Sequence, residues 1–280
     1  MKSLKKTALV LAMAGLPFAA QADLKPLDDA HMGNITGQAG VTIELETRVD
    51  IGEFRYTDEG SLSIKDIKIG GANRTDLFEE ITDFRDALFG QTSDLIDNIK
   101  IDIDIADDGD ALINIFPITA APIDFGISTG DWTLEGHTDT TLLASNFNMV
   151  GAFTKVGIRV DTATDTLNLN TQVGISELNV DFDFLALGIR GLKMTGADYM
   201  GTRLDGSAAN PGVLTLGATI DMDVYKGTRL GGAGDALAID LNTFAADMSI
   251  DQVLVGGTSI GSVMMDNLVV QDTTMRIYGH

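Results

Sequence analysis

The chain has 280 residues, a formal net charge of −22 and no cysteine. So acidic a chain repels nucleic acid, whose binding rests on neutralising phosphates, and favours solubility and mutual repulsion between copies. The lack of cysteine excludes disulfides, thiol nucleophiles and thiolate metal sites, and the length allows a buried core without them.

The chain begins MKSLKKTALVLAMAGLPFAAQA. Lys2, Lys5 and Lys6 precede an apolar run from Thr7 to Ala20, and Ala20-Gln21-Ala22 forms an A-x-A site, the pattern of a secretory signal peptide over 1–22. Cleavage after Ala22 takes the charge to −22 − 3 = −25. The protein is therefore expected outside the cytoplasm, in the periplasm, at the outer-membrane surface or beyond the cell. No later apolar run approaches the ~20 residues of a transmembrane helix.

Residues 23–40 form an entry segment. Pro26 suits a first helical position, and Gly33, Gly37 and Gly40 break any helix. From Val41 the period becomes two: Val41, Ile43 and Leu45 are apolar, Thr42, Glu44 and Glu46 polar, as in a half-buried strand. A single β-rich domain over 41–280 is expected from here on.

Over Leu24 to Leu45 the chain reads L-x-x-L-D-D-x-x-M-x-x-I-T-G-Q-A-G-V-T-I-E-L. Behind an export signal, this resembles the amino-terminal signature of the Fil-type pilus-system proteins of Gram-negative bacteria. The resemblance implies an exported, β-rich component of a surface appendage or its assembly. A second likeness, to leaders cleaved after two glycines, fails at Gln38, which stands where the second glycine belongs.

Alternation resumes through Val49 and Ile51, with a turn at Asp58-Glu59-Gly60. Asp76 with Glu79 reads as a capping box. Leu77, Phe78, Ile81, Phe84 and Leu88 recur at helical steps, and Gly90 is placed to stop them. One short amphipathic helix is expected over about 76–90.

The clearest hairpin follows: Ile99, Ile101, Ile103 and Ile105, a turn at Asp107-Asp108-Gly109-Asp110, then Ile113 and Ile115. Hard cations take carboxylate oxygens, so Asp104, Asp107, Asp108 and Asp110 are candidate calcium ligands. Counted from Asp104, Ala106 at the third place and Ile115 at the twelfth depart from the helix–loop–helix calcium loop. A solvated Asp-Gly turn is the competing reading.

Short alternating runs fill the rest, with polar loops at 198–211 and 226–234. A pattern of apolar-x-x-apolar-x-apolar recurs as IKDIKIGG from Ile64, IRGLKMTG from Ile189, IDQVLVGG from Ile250 and MDNLVVQD from Met265. One extra residue in an alternating strand means a bulge or corner. The expected fold is all-β, an elongated, strongly curved sheet or a β-solenoid-like body.

His31, His137 and His280 share no metal spacing, and no G-x-S-x-G, H-E-x-x-H or phosphate-binding glycine loop occurs. The expectation is a non-enzymatic structural or interaction protein of the envelope or surface, without cofactor unless calcium. It would associate with protein partners or itself through strand edges. The alternative is a periplasmic lipid- or hydrophobe-binding protein with a curved β groove. An outer-membrane barrel fits less well, because aromatic girdles are missing from a chain with one tryptophan.

Overall fold

A computed structural model describes residues 40–79, 85–197 and 215–279. The expected signal peptide, the expected entry segment up to residue 39 and the expected loop at 198–211 lie outside the described residues.

Thirteen strands form one antiparallel sheet. They are β1 (Val41–Thr47), β2 (Val49–Thr57), β3 (Ser61–Gly70), β4 (Ile96–Ile105), β5 (Ala111–Pro117), β6 (Ile123–Ser128), β7 (Trp132–Glu135), β8 (Thr140–Asp161), β9 (Thr166–Phe182), β10 (Leu187–Thr195), β11 (Ala218–Thr228), β12 (Asp235–Val255) and β13 (Thr258–Ile277).

Several of these share one lane of the sheet, end to end. The long β8 pairs in turn with β7, β6 and β5, and β9 pairs with both β10 and β11. β2 follows β1 along the outermost lane, and β3 and β4 fill the next. The sheet is thus eight lanes wide, running from β1/β2 to β13. Neither outer lane has a second partner among the described residues.

The chain leaves the second lane midway, between β3 and β4, and the sixth lane midway, between β10 and β11. Both departures contribute to a small core. Leu77, Phe78 and Phe89 from the first, with Leu216 from the end of the second, are buried against Val150 and Ala152 of β8. Fully burying one such side chain stabilises by roughly 1.5–3 kcal/mol. This cluster therefore pins the middle of a sheet whose outer parts are thinly packed.

Here the expected helix is corrected. Among the described residues only α1 (Arg85–Phe89), five residues long, is α-helical. Phe78 sits at φ 50°, its N–H donates to Ser176 Oγ at 2.9 Å, and Asp76 accepts from Arg74. A tertiary partner, Ser176, takes the Phe78 N–H and a chain neighbour, Arg74, takes the Asp76 carboxylate, two groups that a helix start would use. Ile81 and Phe84 lie outside the described residues.

The recurring pattern marks strand irregularities in an antiparallel meander and not the corners of a solenoid. Asp66, Gly191 and Asn267, each third in its copy, have φ of 49°, 61° and 55°. Asp, Asn and Gly are the residues that tolerate this region. The ladders slip register around Gly191 and Asn267, and again between Ile250 and Val253 in the remaining copy. Asn98, φ 61°, holds the same place in Ile96-Asp97-Asn98-Ile99.

Candidate interaction surface: an apolar face and two free edges

Residues directly paired across a sheet share a face. Across the sheet the pairing assembles rows of seven or eight side chains from separate strands. One row runs Val41, Ile103, Ile113, Ile158, Leu169, Met222 and then Leu241. The row on one side runs Ile43, Ile101, Ile115, Val156, Thr171, Ile220, ending on Phe244 and Val270. The row on the other side runs Ile105, Ala111, Val160, Leu167, Val224, ending on Ile239 and Met275.

Rows between these point to the opposite face. Thr42, Asp102, Asn114, Asn170 and Asp221 lie in one. Asp104, Arg159, Asn168, Asp223 and Asp240 lie in the next. That face is cross-linked by hydrogen bonds. Asn168 Nδ2 donates to Asp221 and Asp223 at 3.1 and 2.9 Å, and Asn242 Nδ2 donates to the same two carboxylates at 3.0 Å. These amide donors, Asn242 foremost, hold the Asp221 carboxyl below the usual carboxylate range.

The apolar face is only partly closed. Of its three rows Thr171 alone is buried; Ile105 is 60% exposed, Val41 55% and Met275 49%. The strands contact chiefly their neighbours within or across adjoining lanes.

The two edges are likewise open. All of β1 and β2 is exposed save Thr47, and Ile260, Val263, Val269, Met275 and Ile277 of β13 are exposed. Glu44, Glu46, Asp50 and Glu53 stud the first edge, a common guard against indiscriminate pairing.

Of the candidate calcium ligands, Asp107, Asp108 and Asp110 come together in the β4–β5 turn, while Asp104 lies on the polar face. Asp110 points inward, 3% exposed. Its carboxylate accepts from Thr162 N at 2.9 Å, Thr162 Oγ at 3.1 Å, and Arg159 Nε at 2.7 Å and its second terminal nitrogen. The Thr162 N–H, then the guanidinium, holds this carboxyl low. Asp108 Oδ1 accepts from Asp110 N at 3.1 Å. Among the described residues, no three acidic or histidine side chains converge as a metal site.

A polar cleft of about 410 Å³ lies where the first departure meets β9 and β10, with Arg74, Glu177, Arg190 and Asp251 among its walls. Arg74 is gripped by Asp76 at 2.7 Å and Glu177 at 2.5 Å, and Arg190 by Asp181 at 2.7 Å. These charges tie the plug and the bulged strand to the sheet.

The fold and surface define an open antiparallel sheet protein with a segregated apolar face. Residues 1–107 match the model of a family described as a family of unknown function (DUF6160), a stretch that ends just past β4. No curated protein and no solved structure matches the chain. No helix among the described residues is long and apolar enough to cross a membrane.

The rows, edges and plug were beyond reach of a linear reading. Alternation names the inward residues of each strand, but which strands adjoin is decided by pairings as far apart as Ser61 and Glu135.

Proposed function

We propose that the chain is an exported, non-enzymatic structural or interaction protein of the cell envelope, a component of a pilus-type surface system that joins its partners through strand edges. The observation that carries this reading is the pair of outer lanes that have no second partner among the described residues, β1/β2 on one side and the 20-residue β13 on the other. An exposed edge offers a row of backbone donors and acceptors to an incoming strand. The export signal and the likeness over 24–45 add to it. Acidic side chains keep copies apart until matching edges meet.

The test is fractionation of native cells with sizing of the recovered protein. A high-mass species in sheared surface material is expected, lost when Ile260→Lys and Val269→Lys place charge on β13. A protein found as a single periplasmic species, unaffected by these substitutions, overturns the reading. The groove alternative draws on the apolar face, whose occupant is addressed next.

A further inference from the structure

We infer that the apolar face is the seat of a second copy of this chain, stacked face to face. The inference rests on the interaction-protein reading above and assigns it a contact distinct from the edges.

Area is the first argument. Eight lanes at the ~4.8 Å strand spacing span about 34 Å, and three alternate rows with their margins span about 20 Å along the strands. The face therefore offers about 700 Å² per copy, or about 1,400 Å² for a pair, within the range of stable protein interfaces. An acyl chain, no wider than one or two lanes, leaves most of these side chains wet. A second sheet, packed at the ~10 Å separation and near −30° angle of aligned sheets, covers them together.

Charge is the second. The three apolar rows contain no ionisable side chain, whereas Asp102, Asp104, Asp221, Asp223 and Asp240 belong to rows of the opposite face. For so acidic a chain, stacking apolar face on apolar face sends these carboxylates outward. It also puts two sheets between the charged layers, beyond the ~8 Å screening length of physiological salt. Among ways two copies can meet across this half of the sheet, it is the one that opposes no carboxylates.

The purified full chain, sized by sedimentation from about 1 to 100 µM, is expected to form a pair. Ile158→Glu with Met222→Glu, two lanes apart on the apolar face, should weaken that pair roughly 100-fold with the far-ultraviolet dichroism kept. Because the chain has no cysteine, single cysteines give an independent reading that leaves the face apolar. At least one of Ile113→Cys, Leu169→Cys and Leu241→Cys should cross-link between copies through a short bismaleimide. Asn170→Cys, on the opposite face, should not.

A pair that survives the glutamates, or cross-links only from Asn170→Cys, overturns the inference. So does a monomer at 100 µM, whether or not organic extraction releases a lipid from it. If Ile260→Lys with Val269→Lys abolishes the pair while the face variants do not, the inference falls and the edge reading stands. If the face pair is intact and the edge variants alter no larger species, the edge reading falls and the inference stands.

Discussion

Phe78 lies directly over Gly174: a Cβ added to the glycine would stand 3.0 Å from two ring carbons of Phe78 and 2.5 Å from the carbonyl oxygen of Leu216. The two mid-lane departures therefore converge on one residue of β9. Gly174→Ala should destabilise by ~1–3 kcal/mol through overpacking against a backbone atom that cannot swing away. Phe78→Ala should cost ~3–5 kcal/mol. Because the residues touch, the double variant should lose less than the sum. Denaturant midpoints at unchanged slope measure all three.

Asn98 combines a left-handed backbone, φ 61°, with two hydrogen bonds that close the segment after β5. Its Nδ2 donates to Ala121 O at 2.8 Å and its Oδ1 accepts from Thr119 N at 2.9 Å. Asn98→Gly removes the bonds and keeps the backbone comfortable; Asn98→Ala removes both. Losses of ~1–2 and ~2–4 kcal/mol are expected, from ~1 kcal/mol per hydrogen bond and ~1–2 kcal/mol for the left-handed region. Equal losses in thermal or chemical unfolding would show that the backbone conformation carries no energy.

Burial raises the carboxyl of Asp124, although Ala72 N–H donates to it at 2.7 Å. A carboxyl with a raised folded value is penalised once it ionises, so its unfavourable contribution is absent in acid and grows as pH rises past the ordinary range near ~4. Asn keeps the acceptor for Ala72. Asp124→Asn should therefore raise the melting temperature at pH 7 and leave it unchanged well below pH ~4, measured as a pH series of melts.

Asp110 behaves in the opposite sense. Its folded carboxyl is held low by Thr162 N–H and then Arg159, so the stability it supplies is complete above the ordinary carboxylate value and is lost as pH falls through the lower folded one. The melting difference between the parent chain and Asp110→Asn should be widest at neutral pH and shrink in acid. Because its oxygens are committed to four donors, millimolar calcium should move neither melting curve. A calcium-dependent rise in the parent chain alone would support the ligand assignment.

The hairpin from Ile99 to Ile115 was legible because its signal is local: isoleucines at alternate positions on both sides of an Asp-Asp-Gly-Asp turn. The helix was misread for the same reason. Leu77, Phe78 and Leu88 fit a 3.6-residue period, yet Leu77 and Phe78 are buried as a loop-borne plug whose amide bonds Ser176, about a hundred positions away. Local period cannot register a competing partner at that separation. For the candidate site, the sequence marked the acidic turn but not the inward rotation of Asp110, which depends on Arg159 of β8 and Thr162 of the β8–β9 connection.

By itself, the sequence determined an acidic, cysteine-free, all-β chain, with alternating strands and Asp, Asn or Gly at their left-handed positions. These properties follow from composition and from conformational preferences that act within a few residues. Only the tertiary structure decided that Val41, Ile103, Ile158, Leu169 and Met222 form one row, that two interruptions meet over Gly174, and that among the described residues β1/β2 and β13 are the outer lanes. Lane order is chosen by cooperative hydrogen bonding and side-chain packing between distant segments, and alternation of period two is the same whichever neighbour a strand takes.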